Sequence, residues 1–581
     1  MFDALFTTTT EYKKLSHALS GKGACALFGL PASGRAQVYA ALCRQLDKPL
    51  CIVTPGEAEA TRFAADLNTL GIPAAVFPAR DYVLRPIEGT AREYEYRRLA
   101  VLGELVGGRL RAVAVPAEAL TQFTTPKEDF CANTRTLHAG DTLLRDDLLA
   151  ALFGAGYTRR AQVDGPGQFS VRGDIVDIFA PDQKMPVRME FWGDEIDTLH
   201  TFDLTTQRRE DAIDKFYLSP AREVLFGKPA DAAEQLRAFL AKQRGKKKTA
   251  MADCMAADLD LLDGGAVPVN MDKYLAVRYP HPATVLDYFD DPILVAEEPA
   301  SIREADRATA YRRGEELKSL ILDGVLCAGL DNLYADPSYL WSKTGHYRTI
   351  CAENFARSMP DQPLKDIINA PAHTLPAWNG EVAGLLEDLK PLCDAGYTVT
   401  LLAGTDRAAA GLARDLRDKG ILVTTDAAAA PAAGLVQVLA GHLSAGCEFP
   451  FAKYALLTGR AFGETSSQKK KRKKAKDALN SLTEITPGDL VVHQNHGIGR
   501  YAGIQRMAVQ GVTKDYLRIE YDKKDVLYVP VTQLDLLSRY TAPGDEEKVK
   551  LAKLGGAEWQ RTRAKVKKAT EEMAQELIEL Y

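Results

Sequence analysis

The segment 29–36 has the spacing of a phosphate-binding loop but lacks two of the chemical groups such a loop needs. Gly29 and Gly34 lie between an apolar run and a helical pattern, which is the usual context of the motif. Arg35 stands where a lysine would reach the terminal phosphates, and Ala36 stands where a hydroxyl would bind Mg²⁺. We therefore expect a degenerate loop, retained for its fold, that does not hydrolyse nucleotides.

No other group of residues predicts catalysis. His493 and His496 are three residues apart on a strand-and-turn pattern, and the sequence indicates no cysteine or carboxylate cluster beside them, so we expect no metal site. No serine or cysteine nucleophile with a partner histidine stands out. The chain itself is thus predicted to have no catalytic residue and no cofactor, and to act by binding.

Alternating hydrophobic patterns predict the elements that position these residues. The first 120 residues alternate apolar runs with helical stretches, which indicates a parallel sheet covered on both faces. Short alternating strands with Gly and Pro turns follow, typical of a mainly antiparallel α+β insert. A strand-plus-carboxylate pattern at 293–298 resembles the usual partner of a phosphate loop, and a proline-bearing connection is expected at 360–376.

The fold class is therefore multidomain α/β and α+β. The predicted units are 1–129 (α/β), 130–213 (inserted α+β), 214–355 (second half of the α/β module), 375–463 (further α/β domain), 464–484 (basic linker), 485–552 (small β-barrel of SH3 or Tudor type) and 553–581 (long helix).

Length and charge agree with this organisation. The 581 residues predict several domains, at roughly 100–200 residues each. A net charge of −5 argues against a protein that coats nucleic acid, although the basic block 469–476 allows a weak DNA contact besides a solvated linker. No apolar stretch is long enough for a membrane span, and the nine cysteines form no paired motif, so we expect a cytoplasmic protein without a membrane partner.

Two segments resemble known families. Residues 169–179 and 186–197 closely resemble the UvrA-contacting domain of the excision-repair protein UvrB. Residues 491–503 and 528–531 are similar to the RNA-polymerase-interacting module of CarD-type regulators. A chain that carries both segments in this order resembles the bacterial transcription-repair coupling factor family.

The resemblance implies a division of labour. In that family a degenerate helicase-like module with an inserted UvrA-binding domain recruits UvrA, and a Tudor-like domain binds the β subunit of RNA polymerase. An ATP-dependent DNA translocase follows, which uses ATP and Mg²⁺, contacts DNA and displaces stalled polymerase. The chain stops in the helix before that translocase, so its ATP-hydrolysing motifs are expected to be absent here.

The resemblance also implies the UvrA-binding residues, which fall on Arg172, Arg188 and Trp192. The two arginines lie on separate strands of one predicted sheet, which can place both guanidinium groups on a shared face. Arginine forms bidentate bonds with carboxylates, and an adjacent tryptophan supplies an apolar anchor. The alternative is that Trp192 lies in the core and the arginines are only solvated.

For polymerase binding, the expected mode is pairing with an exposed edge strand at 501–509. The candidate residues are Arg500, Tyr501, Ile504 and Met507. The alternative is that Ile504 belongs to the barrel core.

A UvrB-type repair subunit with residual ATP and DNA binding is the competing hypothesis. It requires a working phosphate loop and an aromatic-rich hairpin that probes damage. The short segment 81–86 leaves little room for such a hairpin, and the loop has lost its lysine and hydroxyl. The sequence therefore favours an adaptor that joins UvrA to RNA polymerase.

Overall fold

The structure is a computed structural model of the chain. It describes residues 7–86, 92–357, 359, 362–378, 382–430, 432–459, 487–493, 496–509, 512–522, 525–530, 537–540 and 551–553. Within these ranges, no helix combines the length and the apolar character that crossing a bilayer requires.

Strands and helices alternate in the first part of the chain. In chain order they are α1 (Thr10–Ala18), β1 (Gly23–Phe28), α2 (Ala32–Leu46), β2 (Leu50–Thr54), α3 (Glu57–Thr69), β3 (Ala74–Val76), α4 (Glu93–Val106), β4 (Ala112–Pro116), α5 (Ala117–Leu120) and α6 (Lys127–Ala132). The strands are short and almost wholly apolar, as expected for a sheet that is covered on both faces.

An inserted domain follows. Its elements are β5 (Arg135–His138), α7 (Arg145–Gly154), β6 (Thr158–Arg159), β7 (Gln168–Arg172), β8 (Ile175–Phe179), β9 (Val187–Trp192), β10 (Glu195–Phe202), β11 (Arg209–Ala212) and β12 (Lys215–Leu218). Six strands form a sheet in the order β11-β10-β9-β8-β7-β6, and β12 pairs with β5. All these pairings are antiparallel except β6–β7, which agrees with the mainly antiparallel insert that the sequence predicts.

The chain then returns to the first sheet. The next elements are α8 (Pro229–Ala241), α9 (Gly245–Asp263), α10 (Leu275–Arg278), β13 (Ile293–Glu297), α11 (Pro299–Leu322), α12 (Tyr339–Lys343), β14 (Arg348–Glu353) and β15 (Leu364–Asn369), with 3₁₀ turns at Met271–Tyr274 and Val285–Tyr288.

Seven parallel strands form this sheet, in the order β15-β1-β14-β13-β2-β4-β3. Alternate side chains of each strand enter two separate apolar clusters, for example Cys25 and Leu27 on one face and Ala24 and Ala26 on the other. The sheet with its helices is called the α/β module below. The expectation of a simple connection at 360–376 is wrong, because β15 pairs there with β1 despite the flanking prolines.

A third unit has its own sheet. It comprises β16 (His373–Leu375), α13 (Val382–Asp394), β17 (Thr398–Leu402), α14 (Asp406–Asp418), β18 (Val423–Thr424), β19 (Val436–Leu439), β20 (Gly446–Phe449), a 3₁₀ turn at Pro450–Ala452 and β21 (Tyr454–Thr458). The strand order is β16-β20-β21-β17-β19-β18. Cys447, Phe449 and Tyr454 extend the apolar cluster on one face of the α/β module, so the two sheets share a core.

The last sheet is antiparallel and has five strands. They are β22 (Leu490–His493), β23 (Gly497–Val509), β24 (Val512–Glu520), β25 (Val526–Pro530) and β26 (Leu537–Arg539), in the order β25-β24-β23-β22-β26. This sheet is called the C-terminal sheet. The basic linker at 464–484 lies outside the described residues, as does all of the predicted helix at 553–581 beyond Lys553.

Candidate functional site

The loop that the sequence predicts to be a degenerate phosphate loop is held by ion pairs within the protein. The loop joins β1 to α2, and Arg35 in the first turn of α2 is almost fully buried. Its guanidinium lies 2.9 Å from Glu297 Oε2 and 2.7 Å from Glu298 Oε1, at the carboxyl end of β13. Tyr39 donates a further hydrogen bond of 2.5 Å to Glu297 Oε1. The strand-plus-carboxylate pattern therefore meets the loop as the sequence suggests, and its carboxylates bind the arginine.

Both loop glycines face protein atoms. Gly29 has a φ of +87°, and a Cβ there would lie 3.0 Å from Oδ1 of Asn369, the last residue of β15, which pairs with β1. A Cβ on Gly34 would lie 2.9 Å from Cys447 Sγ of the third unit. Ala36, which lacks the hydroxyl that holds Mg²⁺, is fully buried. The third unit and β15 thus pack against the loop itself.

Burial sets the protonation behaviour of this ion-pair group. It raises the pKa of Glu297, although the charge of Arg35 and the hydrogen bond from Tyr39 act in the opposite direction. It also raises the pKa of Tyr39 well above its usual value, and the adjacent Glu297 adds to that rise. Tyr39 therefore remains a hydrogen-bond donor at neutral pH.

The two arginines of the inserted domain share one face of the sheet, as expected. Asp177, on β8 between their two strands, accepts hydrogen bonds from both side chains. Arg188 binds it in a bidentate manner at 2.7 and 2.9 Å, while Arg172 Nη2 lies 2.8 Å from Asp177 Oδ2. The Arg188 side chain is mostly covered and stacks over the Phe202 ring, whereas that of Arg172 is 48% exposed.

Trp192 is on the same face as Arg188, because the two residues are four positions apart on β9 and every second residue of a strand faces the same side. Its side chain is 82% exposed, so the alternative that it belongs to the core is wrong. A large exposed aromatic beside partly exposed guanidinium groups is typical of a protein-binding surface. This surface, consisting of Arg172, Arg188 and Trp192, is called the Arg–Trp face.

Asp177 is a residue of this face that the sequence reasoning missed. It is fully buried, between the apolar neighbours Val176 and Ile178. That single acidic residue on an apolar strand was the available signal, since a buried carboxylate requires a cationic partner.

The four candidate polymerase-binding residues of the C-terminal sheet differ in their exposure to solvent. Arg500 is exposed, and its guanidinium donates to the Gly488 carbonyl at 3.1 Å. Ile504 is 42% exposed, so the alternative that it is core is wrong. The prediction that Tyr501 contacts the polymerase is corrected, because its side chain points into the core of the sheet and is 3% exposed. The side chain of Met507 lies outside the described residues.

The strand that carries them is an edge over only part of its length. From Gly497 to Arg500, β23 pairs with β22 on one side, and Arg500 also pairs with β24 on the other. Within the described residues, positions 503–509 pair with β24 alone. The expected edge strand is therefore placed farther along β23 than Tyr501.

The expectation that no carboxylate lies beside His493 and His496 is wrong. Glu93, the first residue of α4, lies 3.3 Å from His496 across the junction between the α/β module and the C-terminal sheet. Nothing in the local sequence signals this contact, because about 400 residues separate the partners.

Burial and charge act together on this group. Burial raises the pKa of Glu93, but the hydrogen bond from His496 and the charges of both histidines outweigh it and lower the pKa to about 2. Burial lowers the pKa of His493 to about 4; Glu93 opposes this shift and His496 adds to it. At neutral pH the carboxylate is ionised and the His493 imidazole is neutral.

Comparison with known families matches two parts of the chain. The model of the UvrB interaction domain matches residues 136–224, which include the Arg–Trp face. The model of the CarD-like/TRCF RID domain matches residues 485–541, which include the C-terminal sheet.

Whole-chain relatives carry one name. A transcription-repair-coupling factor of Bacillus subtilis (strain 168) is 29% identical over 570 residues, covering 96% of this chain and 48% of that relative. Those of Staphylococcus haemolyticus (strain JCSC1435) and Staphylococcus aureus (strain MRSA252) are 28% and 27% identical, and each covers 95% of this chain and 48% of the relative.

The chain thus spans about half the length of the curated relatives it matches. The two domain matches occur within a similarity that runs along nearly the whole chain. The chain accordingly corresponds to the amino-terminal portion of the transcription-repair-coupling factors.

Proposed function

We propose that this chain is a docking platform that binds UvrA through the inserted domain and the β subunit of RNA polymerase through the C-terminal sheet. It joins transcription to excision repair without hydrolysing nucleotides itself. In the whole protein, an ATP-dependent DNA translocase would supply the movement that displaces a stalled polymerase. DNA binding would belong mainly to that translocase, with a weak contact through the basic block 469–476.

The observation that carries the proposal is the contrast between two sites. Where a nucleotide would bind, Arg35 is buried against two carboxylates and Gly34 faces the third unit. On the inserted domain, by contrast, Trp192 and Arg172 are open to solvent. The proposal is supported by this contrast between a loop occupied by the protein's own side chains and an exposed surface suited to a protein partner.

The UvrA contact is tested with Arg172→Glu and Trp192→Ala. Each should weaken binding by about 2 kcal/mol, or roughly 30-fold, as loss of a binding hot spot does. The measurement is calorimetry of the chain with purified UvrA. Arg188 is a poorer probe, because a glutamate there would face the buried Asp177 and disturb the fold.

Arg135→Glu is the matched control, since Arg135 is exposed on β5, outside the sheet that bears the Arg–Trp face. Its affinity should equal that of the unaltered chain. If Arg172→Glu and Trp192→Ala also bind UvrA with unaltered affinity, this face is not the contact.

The polymerase contact is tested with Ile504→Arg and, farther along β23, Met507→Arg. A charged side chain beside the edge segment should abolish binding to the β subunit in a pull-down while the circular dichroism spectrum stays unchanged. Arg539→Ala, on β26 at the far side of the sheet order, is the control and should bind normally. Binding by both arginine variants would exclude this segment.

The absence of nucleotide hydrolysis is tested directly. The chain with ATP and Mg²⁺ should release no phosphate above the level of Arg35→Ala. Hydrolysis that disappears in Arg35→Ala would instead support the UvrB-type alternative.

A further inference from the structure

Two histidines flank the turn that joins β22 to β23. His493 is the last residue of β22 and is fully buried, and His496 comes directly before Gly497, where β23 begins. His493 and Gly497 are cross-strand partners, so the antiparallel pairing brings the end of β22 and the start of β23 together. The ring centroids are 4.7 Å apart. The hairpin therefore presents two imidazoles at one point.

A carboxylate from a distant part of the chain meets them. Glu93 begins α4 in the α/β module, and its Oε1 is 3.3 Å from His496 Nε2. One potential ligand atom from each of Glu93, His493 and His496 lies within 4.8 Å of the others. The helix dipole also favours an ionised carboxylate at this first position.

These three side chains match what a transition-metal ion requires. Two imidazoles and one carboxylate, with a fourth position left open, are an established ligand set for Zn²⁺. At bond lengths of about 2.0–2.1 Å, tetrahedral ligands are about 3.3 Å apart. The His496–Glu93 distance already has that value, and the widest separation in the group would have to shorten by about 1.5 Å.

The surroundings distinguish this group from an ordinary ion pair. His496 is partly exposed, with 26% of its side chain accessible, so an ion and a water ligand can reach the site from that side. A simple histidine–glutamate pair would not require the second, buried imidazole.

We propose that Glu93, His493 and His496 form a binding site for a divalent transition-metal ion of the Zn²⁺ type, which ties the C-terminal sheet to the α/β module. The ion bonds to ligands from both units, so its binding free energy favours the docked arrangement. The proposed site takes its ligands from two units, the α/β module and the C-terminal sheet. It stands independently of the partners proposed above.

The test is metal uptake by the whole 581-residue chain after treatment with a chelator. Titration with Co²⁺ should produce visible absorption bands of a tetrahedral ion, and Zn²⁺ should displace it. Glu93→Gln and His496→Ala should each lower the Zn²⁺ affinity of this site by about 100-fold or more, since even residues behind the ligands cost about 10- to 100-fold. Zn²⁺ should raise the unfolding temperature of the unaltered chain but not of these variants.

Two further variants make the result decisive. His138→Ala removes an exposed histidine that lies 3.5 Å from Asp141 without a second imidazole, and it should leave uptake unchanged. His496→Cys destroys the ion pair with Glu93 but keeps a metal ligand, so it should retain Zn²⁺ and shift the Co²⁺ spectrum to that of thiolate ligation. Equal Zn²⁺ affinity in the unaltered chain, Glu93→Gln and His496→Ala, or no uptake at all, would show that the group is only an ion pair.

Discussion

A single arginine has a different task here from that of the lysine it replaces in a phosphate loop. A lysine ammonium is a compact charge that reaches toward phosphates, whereas the planar guanidinium of Arg35 can bind two carboxylates at once. Glu297 and Glu298 occupy both of its edges. In a phosphate loop, the phosphates of the nucleotide neutralise the positive charge of the lysine. Here the two glutamates neutralise the positive charge of Arg35, so the arginine stabilises the fold.

We predict that Arg35→Ala lowers the free energy of unfolding of the α/β module by about 3–5 kcal/mol, because Glu297 would remain buried without its cation. Arg62→Ala is the control, since Arg62 and Glu59 form a solvent-exposed pair on α3 that contributes about 0–0.5 kcal/mol. Urea denaturation of both variants measures the difference. Equal midpoints would contradict a structural role for the Arg35 ion pairs.

Asp306 on α11 supplies a pH-dependent prediction. Burial raises its pKa to about 6, although the charge of Arg313 opposes the shift. Because the pKa is higher in the folded state than in the unfolded chain, this residue favours folding below pH 4, and that contribution is lost as the pH rises through 6. Asp306→Asn should therefore increase the free energy of unfolding by up to about 3 kcal/mol at pH 8 and have little effect at pH 4.

Thermal unfolding of Asp306→Asn at the two pH values checks this. Glu304→Gln serves as the control, because Glu304 is exposed on the same helix. A stabilisation of equal size at pH 4 and pH 8 would mean that the carboxylate's ionisation is not the cause.

At the level of elements, the periodicity of apolar residues correctly predicted those strands, helices and faces that depend on nearby residues of the chain. The strand–loop–helix context of Arg35 and the shared face of Arg172 and Arg188 follow from apolar alternation along single strands. The inward position of Tyr501 was missed, as was the pairing of β15 within a proline-flanked segment. Register and bulges determine these features, and β23 shifts its register between Tyr501 and Gly503.

Glu93 marks the limit of such reasoning for the site. Its contact with the histidines depends on how the α/β module and the C-terminal sheet meet, and a single sequence contains no periodic signal for that. The role of Asp177 could have been predicted from the sequence, because an acidic residue on a buried strand requires a cationic partner on a neighbouring strand.

Helix α2 yields a prediction at the same scale. Gly34→Ala would place a methyl group 2.9 Å from Cys447 Sγ, so either the Cys447 side chain or β20, which carries it, must move. We expect a loss of about 1–3 kcal/mol in the free energy of unfolding, as for overpacking. In α14, a Cβ on Gly411 would have no atom within 4 Å apart from its chain neighbours and the backbone of the helix itself. Gly411→Ala should therefore increase the free energy of unfolding by about 0.5–1 kcal/mol.

The double variant Gly34→Ala with Cys447→Ala provides the check. Removing the sulfur should restore part of the lost stability, since the clash is with that atom. Chemical denaturation of the three variants compares them. If the double variant is less stable than the sum of its single changes predicts, the contact between α2 and β20 is not the cause.

At the scale of the whole molecule, buried charges join the inserted domain to both halves of the α/β module. Glu223 lies at the end of the inserted domain, within the residues that the UvrB interaction domain model matches, and is fully buried. Its Oε1 lies 2.6 Å from Arg98 Nε on α4 and 3.2 Å from Arg80 Nε, and Arg80 also binds Asp272 at 2.7 Å. One carboxylate therefore connects chain segments that are more than 100 residues apart.

Glu223→Gln should break this connection. An amide has the same shape but no charge, so Arg98 would lose the anion that offsets its desolvation and Arg80 would keep only Asp272, at a cost of about 3–5 kcal/mol. Because the network spans both units, the unfolding transitions of the inserted domain and of the α/β module should move down together in calorimetry. Glu234→Gln, exposed on α8, should move neither transition. A shift confined to the inserted domain would mean that Glu223 stabilises that domain alone, and that the Arg–Trp face is free to move relative to the module that carries it.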